Sequence, residues 1–296
     1  MLNLENESQI LQLVPALGGG IAGWFWKAAG ADPLALLRSW DQQTHDPAAL
    51  AGFALLPWSN RITQGGFAHQ GVHHALQENR AGEAYPLHGD GWQQAWSVRS
   101  QSEREVILEL QSRRHNGNPH EYDAEQRFIL LEDGLRIRLK ATHRGRTSML
   151  YGLGMHLCFP IDAGSRLQAA ANGVWLSGPD PIPVAHSSSF PPGWNFRLPQ
   201  ALAPEHAIDN CYTGWDGVMR LSQPLQHLML SLSMKENSGY FILAHPKAAQ
   251  HFCFEPVTHP IDAFHAKSRP GLVSLCAGES VAMELDLRVE KLEAGE

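Results

Sequence analysis

The sequence predicts an all-β domain, a sandwich or a barrel. Two observations carry this: short segments in which apolar residues alternate, and turn signals rich in Gly, Pro, Ser and Asn between them. Helix signals are few. "DPLALLRSW" (32–40) and "DPAALAG" (46–52) each offer Asp as an N-cap with Pro at the first position, enough for a short helix or turn. "EVILELQS" (105–112) alternates, with Val106, Leu108 and Leu110 on one face. "GLRIRLKATH" (134–143) alternates more cleanly, with Leu135, Ile137 and Leu139 opposed to Arg136, Arg138 and Lys140. Asp133-Gly134 marks the hairpin turn into it. "SVAMELDLRVE" near the C-terminus alternates again. The loosest stretch is 177–200, where Pro and Ser suggest a long excursion of the kind that lines sites on β scaffolds.

No repeat of fixed period and no compositional linker divides the chain, so residues 1–296 read as a single domain. The net charge of -7 argues against a nucleic-acid partner, which requires a basic face. No apolar stretch is long enough to span a bilayer, and the start "MLNLENESQI" lacks the pattern of a secretory segment. Cys158, Cys211, Cys253 and Cys276 are far apart and show no CxxC spacing. Reduced, buried thiols in a cytoplasmic protein are the expectation.

Polar chemistry concentrates in five places. "LLPWSNRITQGGF" carries Asn60 and Arg61, the latter a planar fork of donors suited to hydroxyls or carboxylates. "YPLHGDGW" sets His88 before a glycine turn that lets the backbone bend sharply. "GMHLCFP" places His156 in an otherwise apolar strand. "IDNCYTGW" carries Asp209 and Trp215. "FCFEPVTHPIDAF" ends an apolar run on Glu255, whose burial would raise its pKa toward the range of a general base. Each has a plain alternative: a surface Arg, a core histidine, a turn, a solvated strand end. Trp58, Trp92 and Trp215 can offer an apolar face to a ligand or fill the core. No HExxH, His/Cys cluster of ligand spacing, P-loop, dinucleotide fingerprint or GxSxG elbow is present, so no metal and no cofactor are expected.

Taken in order, NRI with its glycine turn, LHGDGW, GMHLCFP, IDNCYTGW and FEPVTHPIDAF resemble the aldose 1-epimerase (galactose mutarotase) family over nearly the whole chain. The resemblance implies a large antiparallel β-sandwich of the galactose mutarotase type with few short helices. It implies a site in a cleft on one sheet, and no metal or cofactor. Glu255 takes the place of the general base, His156 of the general acid, and His88 of a second histidine near the ring oxygen. Arg61 and Asp209 match sugar-hydroxyl ligands, with Asn60 and Trp215 beside them. The implied partner is a free aldose, and the implied assembly a monomer or homodimer. Where the family commonly has His-Pro-Tyr-Phe, this chain has His156-Leu157-Cys158-Phe159, and His143 stands where an Asn is frequent. These departures point to a difference in substrate rather than in reaction. Three alternatives remain open at this stage. One is an epimerase of a phosphorylated hexose, drawing on Arg113, Arg114 or Arg197. Another is a sugar-binding protein without turnover. A third is a hydrolase or lyase that pairs Asp209 with Glu255.

Overall fold

The computed structural model describes residues 1–27, 32–202, 207–236 and 239–292. Two antiparallel sheets dominate. The larger runs in the order Leu2–Glu5, Gln9–Val14, Gly20–Trp26, Gly52–Leu55, Gly154–Pro160, His251–Val257, Tyr240–His245, Ile208–Thr213, Gly173–Ser177, Pro183–Ser187. The second runs Arg166–Gln168, Val218–Gln223, Leu228–Ser233, Ser280–Lys291, Gly134–His143, Glu121–Leu130, Glu105–Arg113, Ser97–Gln101.

The alternating segments form strands in the second sheet, as expected. Leu135, Ile137 and Leu139 are buried, while Arg136, Arg138 and Lys140 on the other face are not. Glu121–Leu130 pairs with both Glu105–Arg113 and Gly134–His143, so three alternating strands lie side by side with one shared apolar face. That face packs on the inner face of the large sheet and makes the main core.

Helical structure is confined, among the described residues, to four 3-10 turns. One is Pro47–Ala49, where Asp46 caps by accepting from the Ala48 backbone N–H at 3.0 Å. The other expected helix is absent. Leu34–Leu37 is a strand paired with Gly20–Trp26. Local capping signals are weaker than a ladder of backbone hydrogen bonds to a preformed neighbour, and four apolar residues suit a strand as well as a turn. The segment 177–200 is also more ordered than a loose excursion, because Pro183–Ser187 adds the edge strand of the large sheet.

The cysteine expectation is corrected. Cys158 and Cys253 face each other in register on neighbouring strands and are joined as a disulfide, with Cα atoms 4.0 Å apart. Cys211 is free and buried, as expected, whereas Cys276 is free and exposed. No helix among the described residues is long and apolar enough to cross a membrane.

Candidate active site

Alternation in the central strands of the large sheet separates two environments. On His251–Val257, Phe252 and Phe254 point inward to the main core, and Cys253, Glu255 and Val257 point outward. The outward residues meet a second apolar cluster of Phe53, Leu55, Trp92, Cys211, Ile242 and Ile261. Glu255, His156 and His88 stand on this platform.

Glu255 is buried, and its Oε1 lies 3.3 Å from His156 Nε2. Its Oε2 is buried with no hydrogen-bond partner among the described residues. Burial, reinforced by Asp209, raises the Glu255 pKa well above the usual carboxylate value, while Arg61 opposes the rise. His156 is pulled down to about 3, first by burial and then by Arg38, Arg80 and His251. Its ring stacks on Phe53, centroids 4.5 Å apart and planes 12° from parallel, which fixes the imidazole plane.

His88 is placed by the backbone. Both Asn60 and His88 adopt left-handed conformations, with φ of 56° and 59°. Asn and His enter this region more readily than most non-glycine residues, and close surroundings can hold them there. Here the two residues lock each other. The Asn60 N–H donates to His88 Nδ1 at 3.0 Å, and the His88 N–H donates to the Asn60 carbonyl at 2.9 Å. Accepting at Nδ1 makes the ring neutral with its proton on Nε2. Burial, with His156, Arg61 and Arg80, holds its pKa well below 6.5, in agreement with that geometry. The His88 ring stands edge-on to His156, centroids 5.9 Å apart.

The loop behind His88 is anchored to the second sheet. Asp90 is buried and accepts from Tyr122 at 2.5 Å and from Ser112 at 3.0 Å. Gly89 has φ +67°, and a Cβ there would lie 2.1 Å from the Leu56 carbonyl oxygen. Gly89→Ala should therefore destabilise the protein by about 2 kcal/mol or more, combining backbone strain with a clash that backbone cannot easily relieve. Urea unfolding at neutral pH measures it.

Arg61 is clamped by Glu83, through Nε–Oε2 at 3.0 Å and Nη2–Oε1 at 3.2 Å. Its Nη1 donates to Asn60 Oδ1 at 3.1 Å and stands 3.9 Å from Asp209 Oδ2. Asp209 is the most open member of the group, with its side chain 53% exposed. The structure thus gathers Glu255, His156, His88, Asn60, Arg61 and Asp209. It does not add Trp215, which lies on the inner face of the sheet against Phe241 and Phe254 and donates to the Val218 carbonyl at 2.8 Å. Trp58 is buried beside His120 and Phe264, and Trp92 stacks beneath Phe53 at 5.4 Å. His143 is bonded to Tyr151 and to the Thr147 carbonyl on the second sheet. Arg113 and Arg114 pair with Asp123 and Glu121 on that sheet, and Arg197 binds the Ala171 carbonyl.

Phe53 and Glu83 were not singled out from the sequence. Phe53 carried a signal in "GFALL", where an aromatic residue alternates out of an apolar strand. Glu83 carried none, because its partner Arg61 is 22 residues away across a loop.

Comparisons with known proteins point one way. The model of the family "Aldose 1-epimerase" matches residues 1–288. The uncharacterized protein YphB of Escherichia coli (strain K12) is 31% identical over 281 residues, covering 93% of this chain and 94% of that protein. A solved "Putative aldose 1-epimerase" from Escherichia coli K12 superposes with a TM-score of 0.90 at 28% identity, covering 98% of both chains. The GalM/aldose epimerase homologue from C. elegans shares the fold at a TM-score of 0.84 and 18% identity, covering 99% of both chains.

Proposed function

Because the chain belongs to the aldose 1-epimerase family, we propose that it interconverts the α and β anomers of a hexose, with Glu255 as base and His156 as acid. The observation that supports this most directly is the 3.3 Å contact between the two groups on an apolar platform. Mutarotation asks one group to take the proton from the C1 hydroxyl and another to give a proton to the ring oxygen. The C1–O5 bond breaks, the open aldehyde turns about C1–C2, and the ring closes on the other face. The two groups must together hold one proton, since the base is empty while the acid is loaded.

The pair meets that count. Burial favours the neutral forms, a protonated Glu255 and a neutral His156. Transfer of that proton across the contact yields carboxylate and imidazolium without drawing a proton from solvent. A sugar hydroxyl donating to the unpartnered Oε2 would favour the charged form, as hydrogen bonds to a carboxylate do. His88, with its proton on Nε2, offers a donor beside His156 for the ring oxygen. Arg61 and Asp209 would hold hydroxyls in register and reduce the orientational cost of reaction. The arginines considered for a phosphate, Arg113, Arg114 and Arg197, are engaged elsewhere, which favours an unphosphorylated sugar.

Polarimetry on freshly dissolved α-D-glucose and α-D-galactose tests the proposal, with hexose 6-phosphates alongside. Acceleration over buffer supports it. Sugar binding by calorimetry without acceleration would instead assign a binding protein. On the same reading, Arg61→Lys should raise KM roughly tenfold, about 1.4 kcal/mol, because an ammonium cannot keep the two-point clamp on Glu83 while reaching Asp209. Progress curves over a range of sugar concentrations check it, and kcat should change less than KM.

A further inference from the structure

The outward row of the large sheet continues past the acid–base pair. Two residues along each strand from His156 and Glu255 come Cys158 and Cys253, on the same outward face. Cys158 Sγ lies 3.7 Å from His156 Nδ1, the ring nitrogen turned away from Glu255. A ring nitrogen of His156 and the two sulfurs all fall within 4.8 Å of one another.

We propose that the Cys158–Cys253 disulfide is the closed form of a thiophilic metal site, opened by reduction and completed by His156. A dithiol reductant supplies two electrons and two protons; the S–S bond breaks, two thiols form, and the reductant leaves as its own disulfide. A d10 cation such as Zn²⁺ then displaces both thiol protons. It binds two thiolates and His156 Nδ1, whose proton is also displaced while the Glu255 proton passes to Nε2, leaving a fourth position for water. The geometry allows it. Zn–S bonds of about 2.3 Å and Zn–N bonds of about 2.0 Å call for ligand atoms within about 4 Å of one another. Directly opposed residues on antiparallel strands keep their Cβ atoms about 4.5–5.5 Å apart, close enough to bring both sulfurs to one ion. Thiolate and imidazole ligands together select Zn²⁺ or Cu⁺ over hard cations. A sequence scan misses the set because residues 158 and 253 become neighbours only through strand register.

One consequence rests on the mutarotase reading: a cation on His156 would compete with turnover. The metal site itself does not rest on it, and the two are tested separately.

The experiment uses the full chain carrying Cys276→Ser, which removes the exposed thiol. Protein reduced with a phosphine and desalted without air is titrated with Co²⁺. The expected result is a thiolate-to-cobalt charge-transfer band that saturates at one ion per chain and is displaced by Zn²⁺. The unreduced protein should give no band. Adding Cys253→Ser should weaken binding by more than the roughly 10–100-fold that loss of an outer-shell partner costs. Circular dichroism on the reduced wild type, which carries no substitution at the site, shows whether the fold survives opening. A folded, reduced protein without the band overturns the proposal, and so does a band that Cys253→Ser leaves intact. If mutarotation is measurable, equimolar Zn²⁺ should inhibit the reduced form and spare the oxidised one. Absence of any mutarotase activity would count against the proposed function and leave the cobalt result standing.

Discussion

Glu255→Gln is expected to lower kcat for anomer interconversion by roughly 10²–10⁴-fold, the contribution typical of a general base, while the folded protein becomes more stable at neutral pH. The two effects share one cause. Burial holds the Glu255 pKa well above its unfolded value. The carboxyl therefore favours the native state below its unfolded pKa, and this contribution is lost as pH rises through the folded value. Across that range folding must hold a proton on a group that water would strip, and that penalty vanishes with the amide. An active site that costs stability in this way is a familiar trade. His156→Ala should lose activity on the same scale. Polarimetry gives the rates and urea unfolding the stability. Wild-type rates in both variants, on a sugar the protein accepts, would refute the roles; a clear loss of stability in Glu255→Gln would refute the account of the carboxyl.

The second large effect is acid sensitivity of the fold. His88 and His259 each accept a backbone N–H at one ring nitrogen, from Asn60 at 3.0 Å and from Ser59 at 3.0 Å. His259 also donates from Nδ1 to the Pro260 carbonyl at 2.8 Å, so its tautomer is fixed and neutral. Burial pulls His259 down to about 4 and His88 well below its ordinary value. A depressed histidine binds its proton in the unfolded chain first. Its contribution is therefore complete above about pH 6.5 and is lost as pH falls toward the folded value. Each such proton tilts the balance by up to about 1.4 kcal/mol per pH unit, so His259 alone removes about 1 kcal/mol between pH 6 and pH 5, and His88 adds to the loss in the same direction. His120 and His156, both near 3, act in the same direction. Glu255 acts in the opposite one, so Glu255→Gln should steepen the acid loss. Urea midpoints at pH 7, 6 and 5 should fall steadily; a flat series would mean that these histidines are protonated in the native state.

The sequence shows some of this directly and conceals the rest for physical reasons. The strands 105–112 and 134–143 are legible because burial on one face writes a two-residue period into the chain. Six of the seven proposed site residues converge because they sit in motifs whose order resembles the aldose 1-epimerase family. Trp215 did not, since an aromatic residue after a turn looks the same whether it faces sugar or core. The strand at Leu34–Leu37 and the Cys158–Cys253 bridge were hidden for a common reason. Both depend on a distant neighbour that only the folded sheet supplies.

The division between the two faces of the central strands has a consequence for genetics. A saturation scan across His251–Val257 should return two interleaved phenotypes. Changes at Phe252 and Phe254 would deplete folded protein in the cell, whereas the near-isosteric Glu255→Gln would leave abundance intact and lower turnover sharply. Plotting abundance against activity at Phe252, Phe254 and Glu255 would then trace the sheet's pleat in fitness data alone.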